Sequence, residues 1–175
     1  MYWILAAALT LFSSLAAATP TCKDARYTAL LPKGLAFGQT EAEVARVLPE
    51  GRVVRKDDVR FYDVTASTLP YSFIAVSYAQ GKATRFLMVY GDTTMRKLGG
   101  PYGAAGVIAD KLKARVGGAD RVDDDRPGFE AYWNEHNGGT MQFTWDTKKI
   151  MLRIDCDALE RHVAKQAADS VELGL

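Results

Sequence analysis

The sequence predicts an α+β domain, a sheet of antiparallel strands covered by helices, with one further helix at its C-terminal end. Three observations predict it. Residues 129–156 alternate apolar and polar side chains over successive short runs, the period of strands buried on one face. Helix-starting patterns precede two separate groups of such runs. Asn137-Gly138 sits between two of the runs, and the two central positions of a type I′ hairpin turn both require positive φ.

At the start of the chain, residues 1–22 carry no charged side chain. An apolar run over residues 4–15 leads into Ala16-Ala17-Ala18, the pattern of a secretory signal cleaved after Ala18. That run falls short of the roughly 20 residues a membrane-spanning helix needs, and Ser13 and Ser14 interrupt it. Thr19-Pro20-Thr21 ahead of Cys22 lacks the Leu-small-small pattern of a lipoprotein signal. The expectation is therefore a signal at residues 1–18 and a single domain at 19–175, periplasmic or secreted, with no membrane span after cleavage. In an oxidising compartment Cys22 and Cys156, the only cysteines, are expected to pair. Closing so long a loop is worth at most about 4–5 kcal/mol in the chain-entropy model.

Thr40-Glu41-Ala42-Glu43 fits a capping box, and Val44, Val47 and Leu48 then share a helical face before Pro49 and Gly51 end the helix. Strands are read at 59–64, 73–78 and 84–90, with Gln80-Gly81 turning the chain between the last two. This helix plus meander makes a first unit over residues 34–92. Residues 99–106 are Gly-rich and read as a linker. Their amides, with Arg96 and Lys97 nearby, are an alternative anion cradle, although the spacing is not G-x-G-x-x-G and no GK[ST] follows.

A second helix is read at 104–116, with Ile108, Leu112 and Val116 on one stripe and Gly117-Gly118 past its end. Strands follow at 129–136, 140–145 and 150–156, completing a second unit over 99–157. Corresponding elements are offset by about 63–70 residues, so the chain reads as two tandem units. The last helix, 158–173, opens with Asp157 and Glu160 in a capping pattern and carries Leu159, Val163, Ala167 and Val171 along a narrow apolar line.

Alternation assigns the strand faces of the second unit. Phe129, Ala131, Trp133, Met141, Phe143, Trp145, Ile150, Leu152, Ile154 and Cys156 share the buried side. The opposite side carries Tyr132, Asn134, His136, Gln142, Thr144, Met151 and Arg153, a mixed polar and aromatic surface. Six of these, Tyr132, Asn134, His136, Gln142, Thr144 and Arg153, form the candidate binding face. Tyr71 and Tyr102 are further candidates for contact with a partner, since rigid aromatic side chains bury area at small entropic cost. Tyr62 and Tyr78 alternate as core residues do.

Composition bounds the chemistry. Twenty-two basic and 21 acidic residues leave a formal net charge of +1, which points to neither nucleic acid nor an anionic membrane. Two histidines and two cysteines do not make a zinc cage, and no other metal or cofactor is expected. Asp123-Asp124-Asp125 lacks the spacing of a calcium loop and reads as a solvated turn. His136, with Glu130 or Glu135 beside it in sequence, has no serine nucleophile in a G-x-S-x-G elbow to serve, and no catalytic residue is assigned. His136 and His162 read as ordinary surface histidines.

The segment Phe37-Gly38-Gln39-Thr40-Glu41-Ala42-Glu43-Val44-Ala45-Arg46-Val47-Leu48 resembles the opening helix of small α+β envelope domains, those shared by the outer-membrane assembly lipoproteins and the β-lactamase inhibitor proteins. Gly38, Thr40, Glu43, Val44 and Leu48 are the matching positions. Pro49 stands where that pattern usually has Gly, and the lipoprotein cysteine motif is missing. A tandem pair of such units resembles the inhibitor-type architecture, which implies a protein-binding sheet surface and no catalysis. The resulting expectation is an exported module that binds another envelope or secreted protein, as an inhibitor or immunity protein does. Two alternatives stand beside it: a cell-wall hydrolase built on a carboxylate pair about 5–9 Å apart, and a small-molecule or lipid carrier with an apolar cavity of several hundred Å³.

Overall fold

The structure, a computed structural model, describes residues 22, 26–48, 53–124 and 128–172. The expected signal, Pro49, Gly51 and the Asp125 end of the acidic turn lie outside the described residues. A 3-10 turn at Arg26–Leu30 precedes α1 (Glu41–Val47) and a meander of β1 (Val53–Lys56), β2 (Val59–Asp63), β3 (Tyr71–Ala79) and β4 (Lys82–Tyr90). Helices α2 (Asp92–Lys97) and α3 (Gly100–Val116) follow. A second meander of β5 (Arg121–Asp123), β6 (Phe129–His136), β7 (Gly139–Trp145) and β8 (Ile150–Cys156) runs directly into α4 (Asp157–Glu172). All eight strands join one antiparallel sheet in the order β1-β2-β3-β4-β8-β7-β6-β5, so the two meanders meet where β4 pairs with β8. The α+β class stands.

Register lines the strands up into rows that cross the whole sheet. Tyr62, Ile74, Met88, Leu152, Phe143 and Ala131 lie opposite one another in turn on the inner face. Arg60, Val76, Phe86, Ile154, Met141 and Trp133 form the row beside them. Phe86, Met88, Phe143 and Ile154 are wholly buried, each worth about 1.5–3 kcal/mol of transfer free energy.

The helices cover this inner face. On α1, the Glu41 carboxylate pairs with Arg60 at 2.9 Å. Helix α3 places its end over β6, where the Trp133 indole N–H donates to the Gly117 carbonyl at 3.0 Å. The N-terminal end of α3 reaches β7, where the Tyr102 ring meets Trp145 edge-on at 5.0 Å. The α1 capping box forms as its sequence requires: the Glu43 N–H donates to Thr40 Oγ1 at 3.3 Å and the Thr40 N–H to Glu43 Oε2 at 2.7 Å, a cap worth about 1 kcal/mol.

Cys22 and Cys156 are disulfide-bonded, with Cα atoms 5.9 Å apart. The bridge joins the beginning of the described chain to the end of β8 and stands beside the β6–β7 turn. There Asn137 and Gly138 have φ of 49° and 81°, the pair of positive angles that Asn-Gly supplies. Gly138 is required twice over, because a Cβ there would lie 2.4 Å from the Cβ of Ala158 in α4.

Three features differ from expectation. Strands β1 and β5 extend each three-stranded group by an edge strand. All four residues of β1 are exposed, so no buried face imprints a period on it, and β5 is three residues long. Helix α2 adds one turn and a half before α3. The Gly-rich segment is helix: α3 starts at Gly100, four residues earlier than its apolar stripe suggests, with Pro101 in its first turn. Gly103 is needed there because a Cβ would meet the Leu98 carbonyl oxygen at 2.6 Å, where α2 hands over to α3.

Candidate functional site

The outer face of the sheet is the candidate site. The contacts that fix the positions of the 3-10 turn, α1 and α3 all lie on the inner face. Helix α4 reaches only one end of the outer face, where the Thr140 hydroxyl donates to Asp157 at 3.0 Å and Glu160 stands 3.8 Å from Arg85.

One transverse row defines the character of this face. Val54, Phe61, Ala75, Leu87, Arg153, Gln142, Tyr132 and Arg121 lie opposite one another across all eight strands. It is apolar over the first meander and polar over the second, and the change falls at the β4–β8 seam. The next row opens with Asp63 on β2, is apolar at Phe73, Val89 and Met151, and is polar at Thr144, Glu130 and Asp123, its change falling one strand later, between β8 and β7. Phe61 and Phe73 are half-buried, with ring centroids 6.5 Å apart. With Val54 they line an open dish of about 450 Å³.

The polar half is internally tied. The Tyr132 hydroxyl donates to Glu130, and the Gln142 amide donates to the same carboxylate oxygen at 3.0 Å. Arg121 stacks 4.3 Å above the Tyr132 ring while pairing with Asp123 at 2.6 Å. By accepting from the phenol, Glu130 holds Tyr132 above its ordinary pKa of 10.0. At the seam the buried Asp155 carboxylate lies between two guanidinium groups. One oxygen takes Arg85, and the other takes Arg153 at 2.7 Å.

Tyr132, Gln142 and Arg153 thus come together in one row, with Thr144 in the next. Asn134 is exposed beside an irregularity in β6, its backbone N–H donating to Asp120 at 2.7 Å. His136 leaves the set. The β6–β7 register shifts between Trp133 and His136, so His136 pairs with Gly139, which in turn pairs with Cys156 of the inner face. Its ring meets Tyr27 edge-on at 6.4 Å, and its Nδ1 accepts from the Arg26 N–H at 3.4 Å. Neither neighbouring acid in sequence orients it, since Glu130 holds Tyr132 and Glu135 pairs with Arg161 at 3.2 Å.

Of the other tyrosines, Tyr62 and Tyr78 are buried on the inner side with hydroxyls 3.2 Å apart. Tyr71 is also buried, whereas Tyr102 is 79% exposed. The apolar half of the site, Phe61, Phe73 and Leu87, escapes sequence reasoning. Residues 73–76 are apolar on both sides of the strand, so period two alone does not say which side is covered.

The carboxylates of the outer face that flank the seam and the polar half are engaged by arginine, tyrosine or glutamine. Among the described residues no three His, Cys, Asp or Glu side chains converge as metal ligands, and no helix is long and apolar enough to cross a membrane.

No family model matches the sequence, and no curated protein matches it. Among solved structures, the chain is similar to YjgB of Bacillus subtilis, a DUF4309 family protein. The identity is 16%, the match covers 76% of this chain and 91% of that one, and the TM-score is 0.50. That likeness shows the fold alone.

Proposed function

We propose that this chain is an exported protein-binding module of the cell envelope, which holds a partner protein against the outer face of its sheet as an inhibitor or immunity protein does. The observation that carries the reading is the row from Val54 to Arg121, apolar over four strands and polar over the next four. Eight strands about 4.8 Å apart span roughly 34 Å, and about 20 Å along the strands gives close to 700 Å². A standard interface buries about 800 Å² per partner, so the face is of the right size for one protein. Burial on the Phe61–Phe73–Leu87 side is worth about 25 cal/mol per Å². The Gln142–Arg153 side sets register through polar contacts.

Export is supported by the charge-free start and by the Cys22–Cys156 bridge, which suits an oxidising compartment. The reading of two tandem helix-plus-meander units is supported by the strand order, in which each meander ends on the strand that pairs at the seam. The resemblance of residues 37–48 to inhibitor-type envelope domains points the same way.

A photoreactive residue placed at Phe73 or Tyr132 in exporting cells is expected to yield one protein adduct in common, and a residue at Lys113 on α3 none. Equal adducts from Lys113, or no adduct from either sheet position, would overturn the reading.

A further inference from the structure

A cavity of about 410 Å³ lies on the opposite side of the sheet from the proposed interface. Its walls are aliphatic: Leu30 from the 3-10 turn, Leu98 after α2, Ile108 and Leu112 from α3, and Leu152 from β8. Tyr71 and Tyr90 form its polar end, with rings edge-on at 4.9 Å. Burial pushes both phenols up, so they are neutral donors at any physiological pH.

Lys111 and Arg115, one turn apart on α3, join the lining from exposed positions at the mouth. Arg115 is close enough to Tyr71 for its charge to act on the phenol. Six arginines form ion pairs among the described residues, and neither Arg115 nor Lys111 takes part in one. Arg115 lies in the last turn of α3, where a cation favours the carbonyl end of the helix. Arg115 and Lys111 stand over a pocket walled mainly by apolar carbon, with Thr94 and the two tyrosines as its other polar residues, whose volume is within the range of small-ligand sites.

We infer that the cavity is a binding site for a single-chain anionic amphiphile, with the alkyl chain against the leucines and the head group between Arg115, Lys111 and the tyrosine hydroxyls. A neutral ligand of the same length keeps the apolar contact and loses the charge-assisted one. A cationic ligand meets repulsion at the mouth.

Calorimetric titration of the purified, disulfide-intact protein with decanoate, decyl phosphate, decanol and decyltrimethylammonium tests this. The expected result is saturable one-to-one binding of decanoate or decyl phosphate, the tighter of the two identifying the head group. Decanol should bind at least about tenfold more weakly and the cation not at all. Arg115→Gln should weaken the anion toward the level of decanol, Lys111 retaining part of the charge-assisted contact, and leave decanol unchanged. Leu98→Trp should fill the cavity and abolish both, with far-ultraviolet dichroism reporting whether that variant folds. Because Arg115 is exposed, its variant keeps the test decisive if the tryptophan variant does not fold. Absence of saturable binding at millimolar ligand, equal binding of the cation, or an Arg115→Gln variant indistinguishable from the parent would overturn the inference.

Discussion

The two halves of the outer face are built to opposite rules. Over the first meander, Val54, Phe61, Phe73 and Leu87 present carbon to solvent, with Asp63 beside Phe73 as the charged group among them. Over the second, Glu130, Tyr132, Gln142, Arg121 and Asp123 are occupied with one another, and Asp155 is clasped by Arg85 and Arg153 where the halves meet. The difference teaches how one sheet supplies both affinity and selectivity. Bare apolar area rewards any well-shaped contact, whereas a pre-paired polar surface penalises a partner that does not replace the bonds it breaks. It also separates what stabilises the fold from what is left for binding.

That separation can be broken by mutation. The largest contrast is between two phenylalanines on opposite sides of the sheet. Phe143→Ala, which empties a wholly buried site, should cost about 3–5 kcal/mol in urea denaturation. Phe73→Ala on the outer face should cost about 1 kcal/mol. Comparable losses would mean that the apolar half is part of the core. Next comes the seam: Asp155→Asn leaves two guanidinium groups without their shared carboxylate and should cost about 1–3 kcal/mol, moderated because both arginines are about one-third exposed. No loss would show that the halves are held by backbone pairing alone.

A smaller effect belongs to the inner side of the first meander. Burial raises the Glu41 carboxyl, but hydrogen bonds and charge from Arg55 and Arg60 outweigh it and hold the group below its ordinary 4.5. A depressed carboxylate stabilises the fold above its unfolded pKa, so the advantage of the parent over Glu41→Gln should be full at neutral pH. It should disappear as pH falls from about 4.5 through the folded value. Thermal melts from pH 7 downward measure this, and a gap that does not narrow at all below pH 4.5 would refute it. The smallest readout is spectroscopic: the Tyr132 phenol should titrate above 10.0, and Glu130→Gln should lower it toward that value by nuclear magnetic resonance. An unmoved titration would mean that Glu130 is not the acceptor.

What was legible in the sequence follows the same physics. The Asn137-Gly138 turn, the Thr40 capping box and the inward side of β6 to β8 were readable because each is decided within a few residues, by a positive φ, a local hydrogen bond or a period of two. The disulfide was readable from cysteine count and expected compartment. Strands β1 and β5 were not, since exposed edge strands owe their existence to the partner beside them. The start of α3 was hidden because Gly103 answers to the Leu98 carbonyl and not to helix propensity. His136 was placed on the wrong side by strict alternation, which a single register shift defeats. Phe61 and Phe73 gave no sign of their face, because only the positions of α1 and α3 decide it. The cavity draws on the 3-10 turn, β3, β4, the end of α2, α3 and β8, and has no sequence signature at all.

Oxidative footprinting of the isolated chain and of its photo-crosslinked complex reports directly whether the outer face of the sheet holds the partner. Phe61, Phe73, Leu87 and Met151 are expected to lose reactivity in the complex, while Tyr102 and Val107 on the helical side keep theirs. Protection of Tyr102 and Val107 with the sheet residues unchanged would contradict that expectation.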